Sequence, residues 1–262
     1  MTTYKDGHHS YGQPVGILML DTLFPRIPGE IGHAATFPFP VIHKVVHGAS
    51  PKRVVLEGDP SLVEPFVTAA RELEEMGVRA ITTSCGFLAL FHRQIAETIR
   101  VPFIASSLMQ VPLVSRMVGG KPVGILTARR SALTERHFAG VGWSSKDFPV
   151  VVQGMDEAPL FSRARQENRL TIDFDQMRQE VVEAACQMVE EHPDIAAVVL
   201  ECTNLPPYSA DIQQALDRPV FSIVTLAKMV YAALELPLLG AHMNEMRSAA
   251  IFTGIGGGQS GS

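Results

Sequence analysis

The sequence predicts an α/β protein of two pseudo-symmetric lobes, each a mostly parallel sheet flanked by helices. Three recurrences carry that expectation. The pentapeptide PVGIL occurs at residues 14–18 and again at 122–126, a spacing of 108. Two segments, 78–86 (VRAITTSCG) and 195–203 (IAAVVLECT), each carry a short apolar run ending in a cysteine, and Cys85 and Cys202 lie 117 residues apart. Two later runs, 100–106 (RVPFIAS) and 217–223 (DRPVFSI), set Pro102 and Pro219 at the same spacing of 117. Landmarks recurring in one order at nearly one spacing indicate two copies of a single fold unit.

Within the first copy, residues 15–20, 53–57, 78–83 and 102–105 are short β-branched runs bounded by Pro or Gly, which predicts strands. A helix follows Asp59-Pro60, an N-cap and a first-turn proline, and Gly77 ends it. Leu62, Val63, Phe66, Val67, Ala70, Leu73 and Met76 fall on one face of it, and Pro65 interrupts only its first turn. In the second copy the matching strands are 122–127, 149–153, 195–201 and 219–223. A helix over 173–191 turns Met177, Val181, Val182, Ala185, Met188 and Val189 inward. Strands alternating with helices make βαβ units and hence parallel sheets.

Composition narrows the function classes. Of 262 residues, 46% are hydrophobic and 19% charged, which excludes a disordered chain or a coiled coil. A net charge of −5 argues against a nucleic-acid-binding surface. No apolar run reaches the ~18 residues of a membrane span. The start, MTTYKDGHHSYGQ, lacks the apolar core of a secretory signal. Three cysteines, Cys85, Cys186 and Cys202, are too few for a disulfide framework. A cytoplasmic protein with reduced thiols is expected, forming a homo-oligomer and binding neither membrane nor nucleic acid.

In open parallel α/β folds, ligands sit outside the carboxyl ends of the strands. Cys85 and Cys202 both fall at such ends, just before helical stretches whose open N–H groups favour a thiolate. If the lobes are related by a pseudo-twofold, both thiols enter one cleft from opposite sides. That arrangement suits removal of a proton from one face of a carbon and its return to the other. Cys186 lies on or near the apolar face of a helix and is assigned to packing.

The segments TTSCGF (82–87) and LECTN (200–204), in a duplicated α/β chain of this length, resemble the aspartate/glutamate/hydantoin racemase superfamily. The resemblance covers roughly residues 14–237. It implies cofactor-independent two-base racemisation or epimerisation of a small carboxylate-bearing substrate, with Cys85 and Cys202 as the opposed acid and base. It also implies that the last helix returns to the first lobe. The lobes are then 14–110 plus 221–250 and 111–220, with a flexible tail at 251–262. Asp21 and Thr22, Thr127, and Thr203 match pocket positions of the family.

Departures from the family pattern bear on substrate. Gly86-Phe87 replaces an Asn-Thr pair, Glu201 replaces a glycine, and Asn204 stands where glutamate racemases have histidine. Little activity on free glutamate is therefore expected, with Gly86, Phe87 and Asn204 shaping an altered pocket. A long segment at 23–39 carries Arg26, the only basic side chain there apart from His33, which could clamp a carboxylate. His43 and His47, spaced i,i+4, lack a third ligand, and no metal is expected. Two alternatives stand beside racemisation: a thiol-dependent decarboxylase or cis–trans isomerase of the same superfamily, and a small-molecule binding protein without turnover.

Overall fold

A computed structural model describes residues 12–161 and 171–234. The expected tail at 251–262, and residues 235–250 of the expected first lobe, lie outside the described residues. Four strands, β1 (Val15–Leu20), β2 (Val41–Val46), β3 (Ala80–Thr83) and β4 (Phe103–Ile104), form one sheet in the order β2-β1-β3-β4. The strands β5 (Val123–Thr127), β6 (Val150–Gly154), β7 (Ala197–Leu200) and β8 (Val220–Ser222) form the other, in the order β6-β5-β7-β8. Every neighbouring pair is parallel, and the register repeats: Val15 stands opposite Ala80 in one sheet, Val123 opposite Ala197 in the other. The duplication read from the sequence is a duplication of topology.

The described helices are α1 (Val63–Glu75), α2 (His92–Ala96), α3 (Val111–Met117), α4 (Glu135–Gly140), α5 (Phe174–Glu191), α6 (Ser209–Leu216) and α7 (Ile223–Leu234). Asp59 caps the short 3-10 turn leading into α1 by accepting from Ser61 N, and Asp173 caps α5 by accepting from Asp175 N and Gln176 N. Both sheets are covered on two faces, which is why their central strands read as continuous apolar runs. In the first, Leu18, Leu20 and Ile81 pack with α1, while Val15, Ile17 and Met19 pack with Ile223, Leu226 and Ala227 of α7. In the second, Leu126, Val198 and Leu200 pack with α5, while Val123, Ile125 and Val199 pack with Val111, Phe138 and Trp143.

The glycine inside each PVGIL copy has a packing reason. A Cβ on Gly16 would stand 2.9 Å from Leu73 of α1, and one on Gly124 would stand 2.6 Å from Met188 of α5. Each lobe seats its long helix against its first strand at a position where an added Cβ would force a helix side chain to shift.

One expected strand is absent. Residues 53–57 lie in a π-helical turn, Lys52–Glu57, and the edge strand is β2. Local polar bonds hold that turn: Arg53 donates to Asp59 Oδ2 (2.8 Å), Gly48 O (2.9 Å) and Ser61 Oγ (2.9 Å). Gly58 then closes it in the left-handed region at φ 54°. Because β2 is extended, His43 and His47 share no helical face. His43 Nε2 bonds Ile31 O at 3.2 Å, and His47 lies 3.6 Å from Asp21.

Candidate active site

In each sheet the chain order reverses between the first and third strands, and the crevice outside that switch point is where an open α/β sheet binds ligands. The two switch points face one cavity of about 70 Å³. Leu20 ends β1 and Thr22 follows it, Ser84 to Phe87 follow β3, Ala128 follows β5, and Glu201 to Asn204 follow β7; all line it. Phe24 and Arg26 of the long loop and Pro51 and Val55 of the π-helical turn complete the wall. The volume is small beside the hundreds of Å³ of drug-sized pockets, so the site suits a compact substrate.

The backbone brings the two cysteines in by matching hydrogen bonds. Ser84 N donates to Leu18 O and Glu201 N to Leu126 O, each at 2.8 Å. Leu88 N donates to Cys85 O and Leu205 N to Cys202 O, each at 3.1 Å. The side chains break this symmetry. Ser84 Oγ accepts from Leu20 N at 2.8 Å, whereas Glu201, its counterpart, lines the cavity and carries a fully buried carboxyl group. Thr127 Oγ1 donates to Glu201 Oε2 at 2.6 Å, and Oε1 has no hydrogen-bond partner. Burial pushes the Glu201 carboxyl up to about 7, with the Thr127 bond opposing. Gly86 leaves room for it, since a Cβ there would collide with Glu201 Oε1 and the Glu201 carbonyl oxygen.

The thiols are unequal as well. Burial pushes the Cys85 thiol well above the usual range, and the nearby Glu201 and Cys202 add to that. Backbone N–H groups of Phe87 and Leu88 donate to its sulfur and only partly offset the rise. Thus the expectation that the helix start makes Cys85 a thiolate fails, because desolvation outweighs the N–H groups. Cys202 instead has the Asn204 side-chain amide at its sulfur, with Nδ2 at 3.6 Å from Sγ. None of Cys85, Cys186 and Cys202 is in a disulfide.

Of the expected binding residues, Thr22, Arg26, Gly86, Phe87, Thr203 and Asn204 line the cavity. Thr203 Oγ1 donates to Ser84 O at 2.5 Å, joining the lobes at the cavity wall. Phe87 meets His137 edge to face, with ring centroids 5.2 Å apart. Arg26 stacks over Phe24 at 4.4 Å and donates to Glu30 Oε1 (2.5 Å) and Thr22 Oγ1 (3.0 Å). Two expected residues stand elsewhere. Asp21 is exposed and accepts from Gly48 N at 3.1 Å, so it fastens the end of β2 rather than lining the cavity. Thr127 is fully buried and reaches the cavity only through Glu201. Sequence reasoning missed Glu201 and Glu30 as site residues. For Glu201 the available signal was an acidic residue ending an otherwise apolar strand, directly before a cysteine.

Comparison with known proteins places this geometry. Residues 59–229 match the family described as Asp/Glu/hydantoin racemase. The chain belongs to that family. Among curated proteins it is 30% identical to a dimethylsulfoniopropionate lyase of Durusdinium sp. clade D, over 81% of this chain and 72% of that one. It is 29% identical to dimethylsulfoniopropionate lyase 6 of Emiliania huxleyi, over 84% of this chain but only 59% of that longer protein. In fold it resembles a sulfate-associated arylmalonate decarboxylase variant (TM-score 0.55, 19% identity, 83% of this chain and 93% of that chain). It also resembles a D-glutamate complex of glutamate racemase from Francisella tularensis (TM-score 0.51, 18% identity, 85% and 81%).

These findings uphold the superfamily and the two-lobed fold and correct the expected chemistry. The two-cysteine racemase, and with it the isomerase class, gives way on two grounds. The curated relatives carry the names of lyases. Within the cavity the two thiols also sit in different surroundings, Cys85 beside Glu201 with its thiol pushed up by burial and Cys202 beside the Asn204 amide. Among the described residues, no group of three or more His, Cys, Asp or Glu side chains could hold a metal ion. No described helix is long and apolar enough to cross a membrane.

Proposed function

We propose that the protein is a lyase that takes a proton from the carbon beside a carboxylate and expels a leaving group from the next carbon, with Cys202 as the proton acceptor. The substrate class is a small β-sulfonium carboxylate of the dimethylsulfoniopropionate type, the kind named for its curated relatives. The different surroundings of the two thiols, burial beside Glu201 for Cys85 and the Asn204 amide for Cys202, support this reading. Returning a proton to the opposite face of a carbon needs a second competent base, whereas elimination needs one.

The step balances without a cofactor. The Cys202 thiolate takes the proton α to the carboxylate, and that C–H electron pair becomes the new carbon–carbon π bond. The C–S bond breaks, and its pair leaves on the neutral dialkyl sulfide. The products are the sulfide, an acrylate-type carboxylate and a proton, which Cys202 passes to solvent. Arg26 spends two of its five N–H donors on Glu30 and Thr22, leaving others for the substrate carboxylate. Gly86, Phe87, Thr203 and Asn204 bound the space around the reacting carbons. Cys85 stays protonated and packs beside them.

Sulfide release from dimethylsulfoniopropionate, measured by headspace gas chromatography, tests the reading. We expect release by the wild type, a fall of about 100-fold or more in kcat for Cys202→Ser, and at most about tenfold for Cys85→Ser. No sulfide from the folded wild type, or α-proton exchange with no release, overturns the assignment. Equal losses in the two variants would remove Cys202 from its singled-out role.

A further inference from the structure

The strongest feature that the proposed step does not use is the buried carboxyl group of Glu201. Its surroundings are specific. Oε2 is occupied by the Thr127 hydroxyl at 2.6 Å, and Oε1, equally buried, has no partner. Glu201 is a lining residue of the cavity, and Gly86 of the other lobe leaves the space its carboxyl group occupies. A buried polar atom left without a partner is costly, so one that persists beside a ligand cavity calls for a ligand that answers it.

We infer that Glu201 acts as a neutral carboxylic acid, and that its unpaired oxygen, protonated, donates a hydrogen bond to the substrate carboxylate and to the charge that builds there as the α-proton leaves. An ionised Glu201 would present two acceptors to a substrate group that is itself only an acceptor, and the two anions would repel. The protonated form turns that repulsion into a short, charge-assisted hydrogen bond. Because charge develops on the substrate carboxylate only as the carbanion forms, the bond strengthens toward the transition state. The cavity environment fits this form, since burial raises the carboxyl toward neutrality. The ionisable groups facing it are Cys85 from the segment after β3, Cys202 next in the chain, and Arg26 from the long loop, already answered by Glu30. Of these, the Cys85 thiol is pushed up by burial.

The inference deepens the lyase reading and rests on its carboxylate substrate, but binding tests it without turnover. Propionate, which has no leaving group, is titrated into the full chain by ligand-observed NMR between pH 6 and pH 9. Wild-type affinity should be constant below about pH 7 and weaken toward tenfold per pH unit above it. Glu201→Gln keeps a donor that cannot ionise. Its affinity should match the wild type within about threefold at pH 6 and stay flat to pH 9. Glu201→Ala should bind at least tenfold more weakly at pH 6. Should either variant fail to fold, infrared difference spectra of the wild type at pH 6 decide. Propionate should then shift a protonated-carboxyl band to lower frequency.

A pH dependence in Glu201→Gln equal to that of the wild type overturns the inference. So does a flat wild-type profile, absent propionate binding at pH 6, or an unmoved carboxyl band. Propionate binding as described without sulfide release would sink the lyase reading alone. Sulfide release with propionate binding whose pH dependence is the same in the wild type and Glu201→Gln would sink this inference alone.

Discussion

At the scale of single residues, Arg26 gives the clearest case of a side chain whose partners define its task. Glu30 is 2% exposed, yet both its oxygens are used: Oε1 by Arg26 and Oε2 by Gly32 N at 2.7 Å. Glu30 therefore holds the guanidinium at the cavity wall as a positioning residue. Glu30→Gln should raise KM by roughly tenfold with kcat within about twofold, the size expected for losing one charge-assisted bond. An unchanged KM would leave Glu30 with a role in loop stability only. Asp21→Asn should leave kcat and KM within about twofold of wild type, because Asp21 fastens Gly48 and His47 away from the cavity. Cys85 and Cys202 were legible as cavity residues because strand ends before helical turns are where α/β ligands bind, and Thr203 through its match to a pocket position of the family. Thr127 was legible only as a position, since what its hydroxyl touches depends on a partner 74 residues away. Glu201 read as a departure from a family pattern. Nothing local in the sequence shows that a glycine of the other lobe makes room for it.

At the scale of elements, the repeated strands and the two long helices were legible because their signals are periodic and local. The cap at Asp59 falls where the sequence places it, and Asp173, read as the first helical residue, is the cap of α5. The second strand of the first lobe was not. Residues 53–57 have the apolar content of a strand, but Arg53 is bonded to Gly48, Asp59 and Ser61. That side-chain network competes with sheet pairing, and β2, carrying His43 and Lys44, takes the edge instead. Glycine spacing gives a prediction here. Gly124→Ala puts a Cβ into Met188, so denaturant unfolding should show a loss of about 1–3 kcal/mol. The loss should be smaller in Gly124→Ala with Met188→Leu, where the neighbour is shortened. A fully stable Gly124→Ala would mean that α5 shifts freely along the sheet.

At the scale of the whole molecule, the lobes meet through bonds that bury the site. Ser107 Oγ donates to Leu200 O (2.6 Å), Gln110 Nε2 to Ser222 O (2.9 Å) and Thr203 Oγ1 to Ser84 O (2.5 Å). This closure takes Glu201 out of water and raises its carboxyl from 4.5 to about 7. Stability must then depend on pH. Between about pH 4.5 and 7 the folded chain keeps a proton that the unfolded chain has lost. The folded state binds more protons there, so stability falls as pH rises through that window. The full shift corresponds to a loss on the order of 3 kcal/mol. Cys85, also raised, can add a further fall only above about pH 8.5, where an unfolded thiol ionises. Thermal melts of wild type and Glu201→Gln from pH 4 to pH 8 separate this contribution from all other titrations. The difference between the two midpoints should change in favour of Glu201→Gln as pH rises from 4.5 to 7 and level off above that. A difference constant across the range would mean that lobe closure leaves Glu201 hydrated enough to ionise as it does in the unfolded chain.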